Sequence, residues 1–358
     1  MLKLAIAQCH DAGMDPRALH DLPTPALIID ADLLTQNLKT MAAARPGAAL
    51  RPHVKAHKCT ELARAQVDAG HRGFTCATPS EMIGMAAAGL GEDLLLANEV
   101  LDRRRLTDMV KAGEQHSARM TVAVDSPETV AAAAAAGVRE VLVDVDIGLP
   151  RCGCAPSEAA RIADLARASG MEVRGVMGYE GHLMVMDDRE LQQRKVAEAI
   201  DLLIAAHESV GGNVVSAGGT GTLHLHDRVT EVQAGSYALM DTYYAKMQLP
   251  FVQACWVLGT VVSASAKHAV ADVGLKAMGM DHGNPTLSTL DGRDAAVWFL
   301  SDEHVTFAQP AGAIKVGERV LLAPAHIDPT MAMHEVAWLV CDREVIDRWP
   351  INLRGWDT

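Results

Sequence analysis

"RMTVAVDSPETVAAAAAAGVREVLVDVD", residues 119–146, contains two aliphatic, β-branched runs on either side of an alanine-rich run that stops at Gly137. The outer runs have the length and composition of buried strands, and the middle is a good helix closed by glycine. A strand, a helix and a second strand in so short a span form the repeating unit of a parallel sheet. The rest of the fold follows from how far this alternation extends.

It extends from about residue 25 to 240. Further candidate strands are "AALRPHVK" from Ala48, "GFTCAT" from Gly73, "DLLLAN" from Asp93, "EVRGVMGYEG" from Glu172, "NVVSAGG" from Asn213 and "EVQAGSYAL" from Glu231. Helical stretches such as "RELQQRKVAEAIDLLIAAHESVG" separate them. Eight strands with intervening helices predict an α/β fold, a (β/α)8 TIM-type barrel over residues 25–245. After residue 245 the runs "CWVLGTVVSASAKHAVADVG", "AAVWFLSDEHVTFAQP", "ERVLLAPAHID" and "HEVAWLVCDREVIDRWP" are strand-like and punctuated by Gly, Pro and Asp. They predict a second, C-terminal all-β domain over 246–358. Residues 1–24 are expected to pack on one part or the other.

The chain has 358 residues and a formal net charge of -13. That balance argues against nucleic acid or an anionic membrane as partner, while leaving room for a local site for a small anion. Seven scattered cysteines, with only Cys152 and Cys154 close together, read as free thiols in a reducing cytoplasm. The N-terminus has too short an apolar run for a signal peptide, and no stretch reaches the roughly 18 apolar residues of a membrane span. A cytoplasmic protein is expected.

Catalytic groups of such barrels gather at the C-terminal ends of strands. "LRPHVKAHKC", 50–59, brings Lys55 to one such end, with Arg51 and His53 on the same face. A partly desolvated lysine among cationic neighbours is suited to bond covalently to a carbonyl. Taken alone, a surface lysine is the plainer reading. "SAGGTGT", 216–222, and "QAGSY", 233–237, place glycines and hydroxyls at consecutive strand ends, where backbone N–H groups meet an anion such as phosphate. "DVDIGLPRCG" delivers Arg151 to another end, and "GVMGYEGH" delivers Tyr179 and His182.

In this order, "RPHVKAHK", "DIGLPRCG", "GYEGH", "SAGGTGT", "EVQAGSYALMD" and "PAHIDPT" resemble the D-threonine aldolase and D-serine dehydratase-like family of fold-type III pyridoxal-phosphate enzymes, related to alanine racemase. The resemblance covers nearly the whole chain. It implies that Lys55 holds pyridoxal phosphate covalently and Arg151 contacts the cofactor's phenolic oxygen. Tyr179 stands where racemases stack a histidine on the pyridine ring. Gly219, Thr220, Gly235 and Ser236 fall in the phosphate loops, with Ser216 and Gly218 in the same cofactor-binding set. Gln233 takes the position from which racemases offer an arginine to the ring nitrogen, and a neutral amide there makes the ring a weaker electron sink.

A weak sink needs help at the β-carbon. His326 and Asp328 in "PAHIDPT" lie two apart, on one face if the segment is a strand, and the resemblance implies that they bind a divalent cation beside the substrate hydroxyl. Dehydratase relatives commonly carry cysteine where this chain has Asp328. A carboxylate favours manganese or magnesium over zinc and points to the aldolase. The expected activity is cleavage of D-β-hydroxy-α-amino acids to glycine and an aldehyde, with Lys55, His326 and Arg151 as catalytic residues. D-Serine or 3-hydroxy-D-aspartate dehydratase, and hydroxyaspartate aldolase, stay open as alternatives. His326, His182 and His304 are the candidate bases for the hydroxyl. A cofactor-binding homeostasis protein lacks the β domain, and a racemase would need a second catalytic base that no matching tyrosine motif supplies. The resemblance also implies a homodimer in which the β domain of one chain covers the barrel mouth of the other.

Overall fold

The computed structural model describes residues 17–310 and 312–356, so Cys9 and the first 16 residues of the 1–24 segment lie outside the described residues. The chain divides into two units. One takes Met41–Lys55, Leu62–Gly235 and the chain end from Leu353.

In that unit seven strands lie side by side in sequence order, all parallel. They are Gly73–Cys76, Asp93–Leu96, Met120–Val124, Glu140–Asp144, Glu172–Met177, Val214–Ala217 and Glu231–Val232. Residues 50–53 join the two edges. The N–H groups of Arg51 and His53 donate to the carbonyls of Val232 and Ala234 at 2.9 and 3.1 Å, while Thr75 N–H donates to the Pro52 carbonyl at 2.9 Å. The ring is thereby closed, as the eight-strand pattern requires. The eighth segment is not the regular strand expected over 48–55. Pro52 has no N–H to give, and 3-10 turns at Gly47–Ala49 and Val54–Ala56 flank the extended residues. Lys55 therefore sits in a tight turn rather than on a strand.

Strand alternation builds the core. Leu94, Leu96, Val122, Val124, Val141 and Val143 pack in the large cluster with helical residues, while the intervening Leu95, Ala123 and Leu142 form a separate small cluster with Met177. Both faces are buried, which is why these strands read as unbroken aliphatic runs. The helix Pro127–Ala136 starts at a Ser126 cap that exchanges hydrogen bonds with Thr129, and stops at Gly137 with φ of 84°.

An ionic network occupies the N-terminal ends of the strands. Arg51 donates to both carboxylate oxygens of Glu231, at 2.7 and 2.9 Å, and to Asp93 at 2.7 Å, while Arg174 donates to Asp93 at 2.7 and 2.9 Å. Arg51 is thus committed to these acids. Its expected place beside Lys55 is corrected, because the buried carboxylates are the stronger partners for its planar fork. Burial opposes ionisation of Asp93, but Arg174 and then Arg51 hold its carboxyl far below the usual range. A depressed folded-state pKa contributes stability that is complete above about pH 4 and drains away as pH falls below it. Asp93→Asn is expected to destabilise the protein by about 3–5 kcal/mol, since it leaves two guanidinium groups short of an anion. Denaturant melts should also show the variant losing less stability than wild type between neutral and acid pH.

The other unit takes residues through Thr40, Ala56–Glu61 and Ser236–Asn352. Its strands run in the order Arg17–Ala18, Glu344–Pro350, Val336–Cys341, Ala26–Asp30, Cys255–Ala264, His268–Ala271, Val305–Ala308 and Val297–Leu300. Arg319–Ala323 branches from Cys255–Ala264 and pairs Thr286–Thr289. Ala26–Asp30 lies inside the 25–245 stretch assigned to the barrel, yet it pairs Cys255–Leu258 antiparallel and Ala337–Val340 parallel, so it belongs to this sheet. Leu19, Leu22, Ala26, Ile28, Leu258 and Val340 form one of its apolar clusters.

Candidate active site

At the C-terminal ends of the barrel strands, two cations converge on one aromatic ring. Lys55 Nζ lies 5.9 Å and Arg151 Cζ 5.3 Å from the Tyr179 ring centroid. Lys55 is held by its turn, where its own N–H donates to His53 Nδ1 at 3.4 Å, so His53 serves the turn. Arg151 sits on a loop that folds back on itself. Asp146 N–H donates to the Cys154 carbonyl at 2.9 Å and Cys154 N–H to the Asp144 carbonyl at 3.0 Å, with Gly153 at φ of 104° where a Cβ would strike the Asp146 nitrogen. Tyr179 follows the strand Glu172–Met177, and Gly181 makes room for it, since a Cβ there would lie 2.4 Å from the ring.

The loop after Val214–Ala217 is buried throughout 216–222. Ser216 accepts a hydrogen bond from the Gln233 amide at 2.9 Å, so these two predicted cofactor residues are brought together. The N–H of Gly218 turns to Glu180 and that of Gly219 to the Thr222 hydroxyl, both at 3.3 Å. Thr220 is buried beside them. Gly235 is buried where the chain leaves Glu231–Val232. Burial and then Glu99 push the Cys152 thiol up to about 11, and burial and then Asp144 push Cys154 up to about 12. Raised in this way, neither thiol has the lowered pKa of a reactive thiolate.

These residues fit pyridoxal phosphate. A lysine amine and an arginine share one ring, and glycines and buried hydroxyls line the neighbouring loop. That set matches a carbonyl, a phenolate and a phosphate carried on a flat heterocycle.

The other unit holds the metal candidates. The chain does not stay extended through "HID". His326 is the residue before the short helix Ile327–Met333, and Asp328 lies in its first turn. The reason is local: Pro329 suits a first helical turn, and the Thr330 hydroxyl donates back to the His326 carbonyl at 2.7 Å. The shared strand face is thus corrected, and other residues supply the neighbours. Asp281 accepts from His326 Nδ1 at 2.6 Å, and His282 stacks on the His326 ring at 4.0 Å. Donor atoms of Asp281, His282 and His326 all lie within 4.8 Å of one another, a spread that a divalent ion can gather. Gly279 permits this approach, because a Cβ there would lie 2.4 Å from Pro329 Cγ. Burial, and after it the neighbouring His326, lower the His282 pKa, which favours the neutral, ligating imidazole.

Asp328 accepts from the Ser236 hydroxyl at 3.2 Å. Ser236, expected in a phosphate loop, thereby also reaches a metal candidate. Of the other histidines considered as bases, His182 lies in a 3-10 turn against Gly148, and His304 is exposed in a turn where its carbonyl accepts from Ser301 N–H at 2.8 Å. Asp281, His282, Glu180 and His226 are not singled out from sequence, and Thr222 enters there only as one of the hydroxyls of "SAGGTGT". The only signals were the acid-imidazole pair in "MDHG" and the glutamate inside "GYEGH".

Comparison with known proteins covers nearly the whole chain. Residues 29–242 match the family described as alanine racemase, N-terminal domain, and residues 254–340 match a putative serine dehydratase domain. D-Threonine aldolase of Arthrobacter sp. is 33% identical over 95% of this chain and 94% of its own. A 3-hydroxy-D-aspartate aldolase of Paracoccus denitrificans is 31% identical over 96% of this chain and 94% of its own. The crystal structure of D-threonine aldolase from Filomicrobium marinum superposes with a TM-score of 0.89 at 33% identity, covering 97% of this chain and 99% of that one.

Proposed function

This chain belongs to the pyridoxal-phosphate-dependent, alanine racemase-like family that includes D-threonine aldolase and 3-hydroxy-D-aspartate aldolase, and from that premise we propose that it is a metal-assisted carbon-carbon lyase splitting D-β-hydroxy-α-amino acids into glycine and an aldehyde. The observation that carries the choice of cleavage over dehydration is the donor set around His326. Asp281, His282 and His326 cluster, Asp328 lies two residues on, and every donor is imidazole or carboxylate. No donor in the set is a thiolate, the soft ligand that would single out zinc, and its carboxylates suit manganese.

When bound, pyridoxal phosphate supplies an electron sink for Cα and the metal supplies a Lewis acid for the β-oxygen. In this reading Lys55 Nζ attaches the cofactor and, once released, returns a proton to Cα. Arg151 would face the phenolic oxygen with its charge and Tyr179 would back the ring, with Ser216, Gly218, Gly219, Thr220, Gly235 and Ser236 in the phosphate-binding set. Gln233, whose amide donates to Ser216, would offer the ring nitrogen a neutral group, so the sink would stay modest. Asp281 takes the Nδ1–H of His326 and fixes the tautomer that leaves Nε2 as a ligand. Loss of the hydroxyl proton and rupture of Cα–Cβ then balance as glycine plus aldehyde, with no oxidant or water consumed.

The reading includes a homodimer, which sedimentation should show as one species of twice the chain mass. A cytoplasmic setting is part of the same reading. Among the described residues no helix is long and apolar enough to cross a membrane. Stereochemistry tests the proposal: D-threonine should yield acetaldehyde and glycine, and L-threonine should yield neither. Equal turnover of both would refute it.

A further inference from the structure

Glu180, Thr222 and His226 form a network with no solvent access, directly against the glycine loop 216–222. Glu180 Oε1 accepts from the Thr222 hydroxyl at 2.6 Å and from His226 Nε2 at 2.7 Å, and Oε2 accepts from Gly218 N–H at 3.3 Å. Thr222 Oγ1 in turn accepts from Gly219 N–H at 3.3 Å. One carboxylate therefore ties the entry of the loop to its exit. The backbone allows little slack. Gly218 has φ of 83°, and a Cβ on Gly221 would lie 1.9 Å from the Met184 carbonyl oxygen. Burial opposes ionisation of Glu180, but the hydrogen bond and charge of His226 and then the Thr222 hydroxyl hold its carboxyl below the usual range.

A buried anion beneath a loop read as a phosphate cradle is a paradox if the carboxylate only adds charge. The geometry resolves it. The carboxylate faces three donors, so its charge is absorbed locally, and its two oxygens fix where the loop's first N–H and last hydroxyl point. We propose that Glu180 and Thr222, with His226 as the balancing donor, are positioning residues that set the 216–222 loop in its phosphate-accepting shape. This rests on the cofactor reading above and goes beyond it by assigning residues that touch no reacting atom.

The test separates phosphate recognition from general integrity. Full-length protein freed of cofactor is titrated with pyridoxal phosphate and with pyridoxal, which lacks the phosphate, and the ratio of the two dissociation constants is the phosphate advantage. In Thr222→Val the hydroxyl link disappears. In Glu180→Gln the amide can accept on one side only and turns a second donor toward either Gly218 N–H or the Thr222–His226 pair. Each variant is expected to lose on the order of tenfold of the phosphate advantage, the size of a lost hydrogen bond to a charged group. Pyridoxal binding, which depends on Lys55, should stay within about twofold by the same scale. A full phosphate advantage in both variants overturns the assignment. So does a proportional weakening of both compounds, which would mark the network as structural only. If Glu180→Gln fails to fold by circular dichroism, Thr222→Val carries the test alone. Wild-type protein without any phosphate advantage would remove the cofactor reading itself, and the inference with it.

Discussion

Lys55→Ala is expected to abolish turnover and covalent cofactor retention together. Lys55 Nζ is the amine that shares the Tyr179 ring with Arg151, 5.9 and 5.3 Å from its centroid. Removing a covalent nucleophile takes away a whole route, so the rate should drop by at least about a thousandfold. The purified variant should be colourless, with no adduct that borohydride reduces onto the chain. Peptide mapping of reduced wild type should place the adduct on Lys55. Lys58 is the nearest competitor in sequence, three residues on, in the left-handed region at φ of 50°. A variant that keeps a reducible adduct would move the assignment there.

The second large effect concerns the metal. On the proposed reading Gln233 would offer the ring nitrogen only a neutral amide, the cofactor alone would be a modest sink, and Lewis-acid stabilisation of the developing β-alkoxide would matter more. Such assistance supplies several kcal/mol, so chelation or His326→Ala should slow cleavage on the order of a thousandfold. The cofactor's absorbance should survive both, because Lys55 and the 216–222 loop are untouched. Manganese should restore chelated wild type and leave His326→Ala inactive. Asp281→Asn is a subtler companion. It replaces the carboxylate that accepts from His326 Nδ1 and belongs to the same donor cluster, and metal affinity measured by calorimetry should fall by at least about tenfold. Full-rate cleavage by chelated enzyme would refute the metal's role.

What could be read from the chain, and what could not, follows from the range of the interactions. Strands such as Asp93–Leu96 and Glu140–Asp144 were legible because barrel strands are buried on both faces and local composition alone marks them. Ala26–Asp30 looks the same in sequence, yet joins the other sheet, since nothing local says which neighbour an apolar strand takes. Lys55 and Arg151 stood out as charges at strand ends. Arg51 stood out equally, but its partners Asp93 and Glu231 lie 42 and 180 residues away, and only the closed ring brings them to it. His326 was visible in "PAHIDPT", whereas Asp281, 45 residues earlier, is indistinguishable from any loop acid until the fold sets it against Nδ1. Glu180 and His226, 46 residues apart, were hidden for the same reason.

Product analysis tests the central claim most directly. The protein, loaded with pyridoxal phosphate and manganese, is incubated with D-threonine and with 3-hydroxy-D-aspartate, and glycine, ammonia and the carbonyl product are quantified together. The aldehyde from 3-hydroxy-D-aspartate is glyoxylate, and the dehydration product is the four-carbon oxo acid. Cleavage gives glycine and aldehyde in equal amounts with no ammonia, and that is the expected result for whichever substrate turns over. Oxo acid and ammonia in equal amounts, without glycine, would mean that the hydroxyl leaves instead of the Cα–Cβ bond breaking, and would contradict the assignment as an aldolase.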